Sequence, residues 1–452
     1  MMEQPKSQIR RAELIAALSH ALDLTEGQPR GHCIRVCWLG MQIGIGLNLS
    51  TEELVELYYA LLLKDLGCSS NAARICQLYL TNDHTFKADF KRIDGSLSQA
   101  LRFVLSHTGL ESGMAERFRA VVNIMRNGGQ ISRELIEARC HRGADIARQM
   151  NFGEDVAQAI QNLDEHWDGS GKPMGLHGRN IPLASQIALL AQVADVFHMT
   201  SGRQAATQEI ENRSGTWFDP KLVEMFMSVA EWDDLWSTMN DESLTSKVLA
   251  LEPLEHTQLA DDDYLDRVSK GFAMVVDSKS PFTAGHSERV AVYTDLIAEQ
   301  LGFDAKHRRW LRRAALLHDI GKLAISNTIL DKPSKLTDDE FAQIKTHSRL
   351  SAEILSGIPA FQNIVAIAGG HHERLDGKGY PFGLTEPQIN LETRIVTVAD
   401  VFDALTADRP YRKAMTISEA LRFMSKEVGT AFDAKCFEAL VAALDQTKIA
   451  AA

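Results

Sequence analysis

Apolar positions recur at three- and four-residue intervals through much of this chain, as in the stretches 53–66, 310–318, 361–372 and 395–405. That period lines one face of an α-helix, and the alternating β-branched runs that would mark strands are scarce. Gly and Pro gather instead at 167–182, at 376–388 and at Lys332-Pro333, where the pattern predicts loops. The expectation is an all-α protein. An acidic, weakly periodic stretch over 230–263, including Asp261-Asp262-Asp263, reads as a connector between a first domain, 1–229, and a second, 264–452. The length of 452 residues suits two domains, because a single core seldom organises more than about 250–300 residues.

The helical pattern is written twice. Gly31-His32-Cys33-Ile34-Arg35-Val36 aligns with Gly285-His286-Ser287-Glu288-Arg289-Val290 at an offset of 254. The same offset carries Asp23 onto Asp277 and Leu61-Leu62-Leu63-Lys64-Asp65-Leu66-Gly67 onto Ala315-Leu316-Leu317-His318-Asp319-Ile320-Gly321. Further along, Asp168-Gly169-Ser170-Gly171 matches Asp376-Gly377-Lys378-Gly379 at 208, Ala194-Asp195-Val196-Phe197 matches Ala399-Asp400-Val401-Phe402 at 205, and Gly215 matches Gly429 at 214. Colinear matches with slowly drifting offsets indicate an internal duplication. The drop in offset assigns about 50 extra residues to the first copy, within 68–140.

Charge narrows the function. The chain carries 48 Lys+Arg against 60 Asp+Glu, which argues against coating a nucleic acid. Residues 261–452 hold 24 against 27 and residues 1–260 hold 24 against 33, so the second half is the better host for a phosphate ester. No apolar run approaches the roughly 20 residues that span a bilayer, and the first residues lack the apolar segment of a signal peptide. Six cysteines without a CxxC pair suit a reducing compartment, and a cytoplasmic location is expected.

The second copy gathers His286, His318, Asp319, His347, His371, His372 and Asp400 at helix ends and on helix faces. Five imidazoles and two carboxylates offer the mixed N/O donors that suit iron, manganese or another first-row divalent ion. An adjacent His-Asp pair is useful where the Asp bridges two metals, which can share a hydroxide and hold a phosphodiester for in-line attack. Singly, each of these residues has an ordinary structural explanation; in this order they reinforce one another.

Four strings carry a family resemblance: Gly285-His286, His318-Asp319-Ile320-Gly321-Lys322, His371-His372-Glu373-Arg374-Leu375-Asp376-Gly377-Lys378-Gly379-Tyr380-Pro381, and Asp400-Val401-Phe402-Asp403 running on to Arg409-Pro410-Tyr411-Arg412. Residues 277–412 resemble the HD-GYP subgroup of the HD phosphohydrolase superfamily, all-helical enzymes that open cyclic di-GMP or related cyclic dinucleotides. The resemblance implies two tandem HD-superfamily domains, the second of HD-GYP type. It implies that the seven His and Asp residues hold two divalent ions, iron or manganese, with Asp319 bridging. Lys322 would contact the scissile phosphate, Arg409 and Arg412 would hold substrate phosphates, and Tyr380 would shape the mouth of the substrate site. Some family members recruit a third metal through a Glu four residues before the position of His286; here that position is Phe282, which has no donor atom. A cyclic dinucleotide is the expected partner, with signalling proteins at the Gly-Tyr-Pro loop or first domain, and self-association as a homodimer, as further candidates; neither nucleic acid nor membrane is expected. Two alternatives are a mononucleotide phosphohydrolase of the same superfamily and a non-hydrolytic cyclic-dinucleotide sensor.

The equivalent positions in the first copy read as His32, Lys64, Asp65, His141, Leu163, Asp164 and Asp195, with Cys68 in place of Lys322 and Lys172 in place of Tyr380. Lys64 puts a cation where an imidazole ligand belongs. A residual single-metal site would have to come from His32, Asp65, His141 and Asp195; the stronger expectation is a degenerate HD domain that serves packing, dimerisation or regulation.

Overall fold

A computed structural model describes residues 9–93, 96–253, 257–410 and 412–450. The chain divides into two compact units, residues 1–260 and 261–452. Among the described residues both are built of helices, with only isolated β-bridges between extended segments.

In the second unit the helix His286–Gln300 is central. It buries Val290, Ala291, Thr294, Ile297 and Ala298, the one-face spacing of an amphipathic helix. It packs against Ala305–Leu317 and Leu391–Thr406, while Asp338–Ser356 packs on Val365–Gly370 and on the short 3₁₀ turn Ile320–Ala324. Side-chain caps fix where these helices start: Asp304 accepts from the His307 amide at 2.8 Å, Asn390 from Thr393 at 2.7 Å, and Thr337 with Glu340 forms a reciprocal box. The first unit repeats the plan. His32–Gly46 packs on Thr51–Leu63 and Leu183–Ser201, and Met114–Gln149 takes the place of Asp338–Ser356.

Two pairs of glycines show how closely the copies match. Gly31 and Gly285 precede the two His-initiated helices at φ of +85° and +67°, a left-handed turn that glycine enters without steric cost. Gly67 and Gly321 lie where the 3₁₀ turn crosses a long helix. A Cβ at Gly321 would strike the His347 carbonyl and the Ser351 amide, and one at Gly67 would strike the Arg139 carbonyl and the Gly143 amide.

The extra residues of the first copy form the helices Ala72–Tyr79, Asp83–Phe90 and Leu97–His107 and the start of Met114–Gln149. Tyr79, Phe86, Phe103 and Ile124 give them a small apolar cluster of their own. The stretch expected to be a connector, 230–263, instead carries two helices that belong to the first unit. The helices Asp233–Met239 and Leu244–Ala250 bury Leu235, Trp236, Met239 and Val248 within the first unit and pack on His32–Gly46. Acidic surface positions masked that short apolar face, and the units divide at 260/261.

Candidate functional site

In the second unit the seven sequence-selected His and Asp residues converge, and all but His372 are buried. His286 begins its helix, held by Asp277, which accepts from the Ser287 amide at 3.1 Å and its hydroxyl at 2.7 Å. His318 and Asp319 end Ala305–Leu317 and lead into the 3₁₀ turn. His347 comes from the middle of Asp338–Ser356, His371 and His372 follow Val365–Gly370, and Asp400 lies on Leu391–Thr406.

The imidazoles are oriented from behind. Nδ1 of His318, His347 and His371 donates to the carbonyl of Ala315 (2.6 Å), Ile344 (2.6 Å) and Ala368 (2.9 Å). His286 Nδ1 donates to Asp403 Oδ2 at 2.7 Å. A carbonyl oxygen can only accept, so the proton sits on Nδ1 in these rings and, in the neutral form, the Nε2 lone pair faces inward. Asp403 lies outside the selected set; its signal was the i,i+3 spacing from Asp400 on one helix face.

The inward atoms fall into two groups around Asp319. Its Oδ2 lies 3.5 Å from His286 Nε2 and 3.2 Å from His318 Nε2. Its Oδ1 lies 3.3 Å from His347 Nε2 and 3.7 Å from His371 Nε2. Asp400 spans the same division, with Oδ1 3.3 Å from His286 Nε2 and Oδ2 4.0 Å from His372 Nδ1. His286 Nε2, His318 Nε2 and Asp319 Oδ1 are buried without a hydrogen-bond partner, and the Nε2 atoms of His347 and His371 face each other at 3.3 Å. Facing lone pairs and partnerless buried acceptors are costly unless a cation sits between them. The donor set therefore fits a pair of divalent ions sharing Asp319.

The electrostatics agree. Burial alone would raise the Asp319 carboxyl, yet His318 and Lys322 hold it well below the usual carboxylate range. Asp400 is likewise depressed against burial, by His286 and His318. Burial pushes His371 down to about 4, with His318 adding to the effect, so that ring stays neutral. In His286, burial is outweighed by the carboxylates around it, Asp319, Asp400 and Asp403, which raise its value to about 10, so a metal ion bound there would take the place of the Nε2 proton.

A cavity of about 370 Å³ opens beside the cluster, lined by His347, His372, Asp400, Lys322, Tyr380 and Arg409 among others. The Lys322 ammonium reaches Asp319. Tyr380 packs over His372 with ring centroids 4.7 Å apart, and Phe282 forms part of the wall. The loop carrying Tyr380 is pinned by buried Glu373, which accepts from the Phe382 amide at 2.7 Å and the Leu384 amide at 2.9 Å. Arg412 also borders the cavity, but its guanidinium is spent on the carbonyls of Ala404 (2.7 Å), Leu405 (3.0 Å) and Lys413 (2.7 Å). It caps the end of Leu391–Thr406 and holds the loop that presents Arg409.

The first copy requires two corrections. His32 Nδ1 donates to Asp195 at 2.6 Å, and Arg35 binds the same carboxylate at 2.6 and 3.2 Å. His286 and Arg289 bind Asp403 in the same way, so Asp195 is the counterpart of Asp403 and Gln192 that of Asp400. The glycine crossings pair Arg139, not His141, with His347, and His141 is exposed. Both corrections restore the offset of 208 seen in the glycine loop. The single-metal alternative loses two of its four ligands.

An HD domain family model matches residues 113–222 and 270–436, more than half of the chain. The chain belongs to the HD domain family. It is 52% identical over 434 residues, 96% of its length and 94% of the relative's, to 3'3'-cGAMP-specific phosphodiesterase 3 of Vibrio cholerae. It is 41% identical over 203 residues to a cyclic di-GMP phosphodiesterase response regulator of Xanthomonas campestris, covering 44% of this chain and 54% of that one. A crystal structure of a cyclic GMP-AMP specific phosphodiesterase from V. cholerae superposes with a TM-score of 0.66 at 47% identity, over 97% of this chain and 98% of that one. Two helical copies on one HD chain are therefore the architecture anticipated from the duplicated motifs. No helix among the described residues is long and apolar enough to cross a membrane.

Proposed function

We propose that the second unit is a metal-dependent phosphodiesterase that hydrolyses a cyclic dinucleotide, with 3'3'-cGAMP the first candidate substrate. The observation that carries this reading is the set of inward, partnerless donor atoms on His286, His318 and Asp319, beside a cavity bordered by Lys322 and Arg409. The substrate class comes from the V. cholerae relative, whose match spans nearly the whole chain.

His286, His318, Asp319 and Asp400 would hold one divalent ion, and Asp319, His347, His371 and His372 the other. When bound, such ions supply a water nucleophile at neutral pH and Lewis-acid compensation for the phosphate. The chain's own groups do the rest. Lys322, beside Asp319, meets the negative charge that builds on the scissile phosphate. Arg409 presents a guanidinium to the second phosphate of the ring. Tyr380 and Phe282 give the cavity apolar walls that exclude bulk water from the reacting bond. Asp403 and the three backbone carbonyls keep the rings aimed inward.

Product chromatography tests the proposal, with metal-replete protein purified without oxygen and given 3'3'-cGAMP or cyclic di-GMP. Conversion of 3'3'-cGAMP to a linear dinucleotide, faster than of cyclic di-GMP, is expected. Binding of both without turnover would make the chain a sensor instead.

A further inference from the structure

The seven counterparts in the first unit are His32, Lys64, Asp65, Arg139, Leu163, Asp164 and Gln192, and they do not fit a metal pair. The inward acceptors that lack partners in the second unit are satisfied here. Lys64 Nζ donates to His32 Nε2 at 3.0 Å and to Asp65 Oδ2. On the other side of Asp65, Lys91 Nζ lies 3.8 Å from Oδ1, 2.8 Å from Glu26 and 3.3 Å from Gln192. Arg139 pairs with Asp164, so the positions of His347 and His372 have become an ion pair, and Leu163 fills the place of His371 with apolar bulk. Glu26, Asp65 and Cys68 lie close enough to suggest a ligand group, but the Lys91 ammonium already bridges the two carboxylates.

We infer that the first unit has exchanged its metal pair for side-chain cations, with the Lys64 ammonium seated between His32 and Asp65 and Lys91 and Arg139 neutralising the opposite side. Buried carboxylates need a compensating charge in either copy. In the second unit divalent ions would supply that charge; in the first it is covalently attached and always present. The charge states agree with the geometry. Burial lowers His32, with Lys64 adding to the effect, so the ring is neutral and accepts from the ammonium. Burial would raise Asp65, but Lys64 and Lys91 hold it far below the usual carboxylate range. The first unit is thus an HD fold that needs no metal to fold.

Tryptophan emission reads the first unit, which holds Trp38, Trp167, Trp217, Trp232 and Trp236, whereas the second holds Trp310 alone. In full-length protein carrying Asp319→Ala, which dismantles the centre proposed for the second unit, a strong chelator should leave the tryptophan-monitored melt unshifted. Lys64→Met in the full-length chain should lower that melt by about 5 °C or more, because it leaves Asp65 Oδ2 and His32 Nε2 buried without the ammonium that serves both. Should Lys64→Met fail to fold, elemental analysis of Asp65→Asn decides: its metal content should equal that of the wild type. A chelator-sensitive melt in Asp319→Ala, an unshifted melt in Lys64→Met, or metal lost from Asp65→Asn would each overturn the inference.

Discussion

Asp403 accepts the Nδ1 proton of His286 at 2.7 Å and thereby aims Nε2 at Asp319 and Asp400. It touches no inward position itself. Asp403→Asn should therefore act through ring orientation, lowering metal affinity by roughly 10–100-fold. Titration of metal content by elemental analysis, with circular dichroism as a check on folding, reads this. Full metal occupancy at limiting supply would refute it.

Asp319 is shared by both donor groups, so Asp319→Ala should abolish turnover and bound metal together. Lys322→Ala should keep the metal and slow hydrolysis by roughly 10²-fold or more, the scale of other lost charge-stabilising contacts. Side-by-side kinetics and elemental analysis of the two variants separate the roles, and near-normal turnover by Asp319→Ala would remove the proposed centre.

The two arginines should part company. Arg409→Ala should raise KM by roughly 10-fold or more, the value of a charge-assisted hydrogen bond, with little change in melting temperature. Arg412→Ala frees the carbonyls of Ala404 and Leu405, so it should lower thermal stability as well as activity. Equal effects of the two on KM, with no change in stability, would return Arg412 to the substrate.

Metal stoichiometry should be two per chain. Phe282, on the cavity wall, offers no donor for a third, and the first unit has none to spare. Prolonged chelation should abolish hydrolysis, and added divalent iron or manganese should restore it. Three metals per fully loaded chain would contradict the inventory.

Acid should act on the first unit through Glu26. Burial would raise this carboxyl, but Lys91 and Lys87 outweigh burial and hold it at about 2 against an ordinary 4.5. A depressed carboxyl stabilises the fold above its unfolded value and loses that contribution as pH falls towards the folded one. The tryptophan-monitored melt should drop between pH 4.5 and about 2, and Glu26→Gln should flatten that dependence. An equally steep profile in the variant would show that other groups dominate.

Much of this was legible in the sequence, and the misreadings have a physical cause. Six of the seven His and Asp residues were readable because they sit in strings anchored by Gly, Pro or a helix end, whereas His347 lies mid-helix and gained its meaning only beside the other six. The match of Ala194-Asp195-Val196-Phe197 with Ala399-Asp400-Val401-Phe402 was wrong by three residues. Three residues are close to one helical turn, so the shifted register keeps the same buried face and the apolar pattern cannot detect it. His141 stood in for Arg139 because Met114–Gln149 runs for 36 residues with no turn to set its register. Asp403 went unnoticed because its work is done through another side chain.

The crossing at Gly67 and Gly321 leaves no room for a side chain in either unit, whether or not the neighbouring donors are intact. A mutational scan should find both positions equally intolerant, although only one adjoins the proposed chemistry. Glycine there is a signature of the backbone crossing and not of turnover. Searches for HD folds that have traded ions for lysines should keep that glycine, require a basic residue two positions before the Asp-Leu-Gly or Asp-Ile-Gly leucine or isoleucine, as Lys64 stands before Leu66, and leave the histidines free.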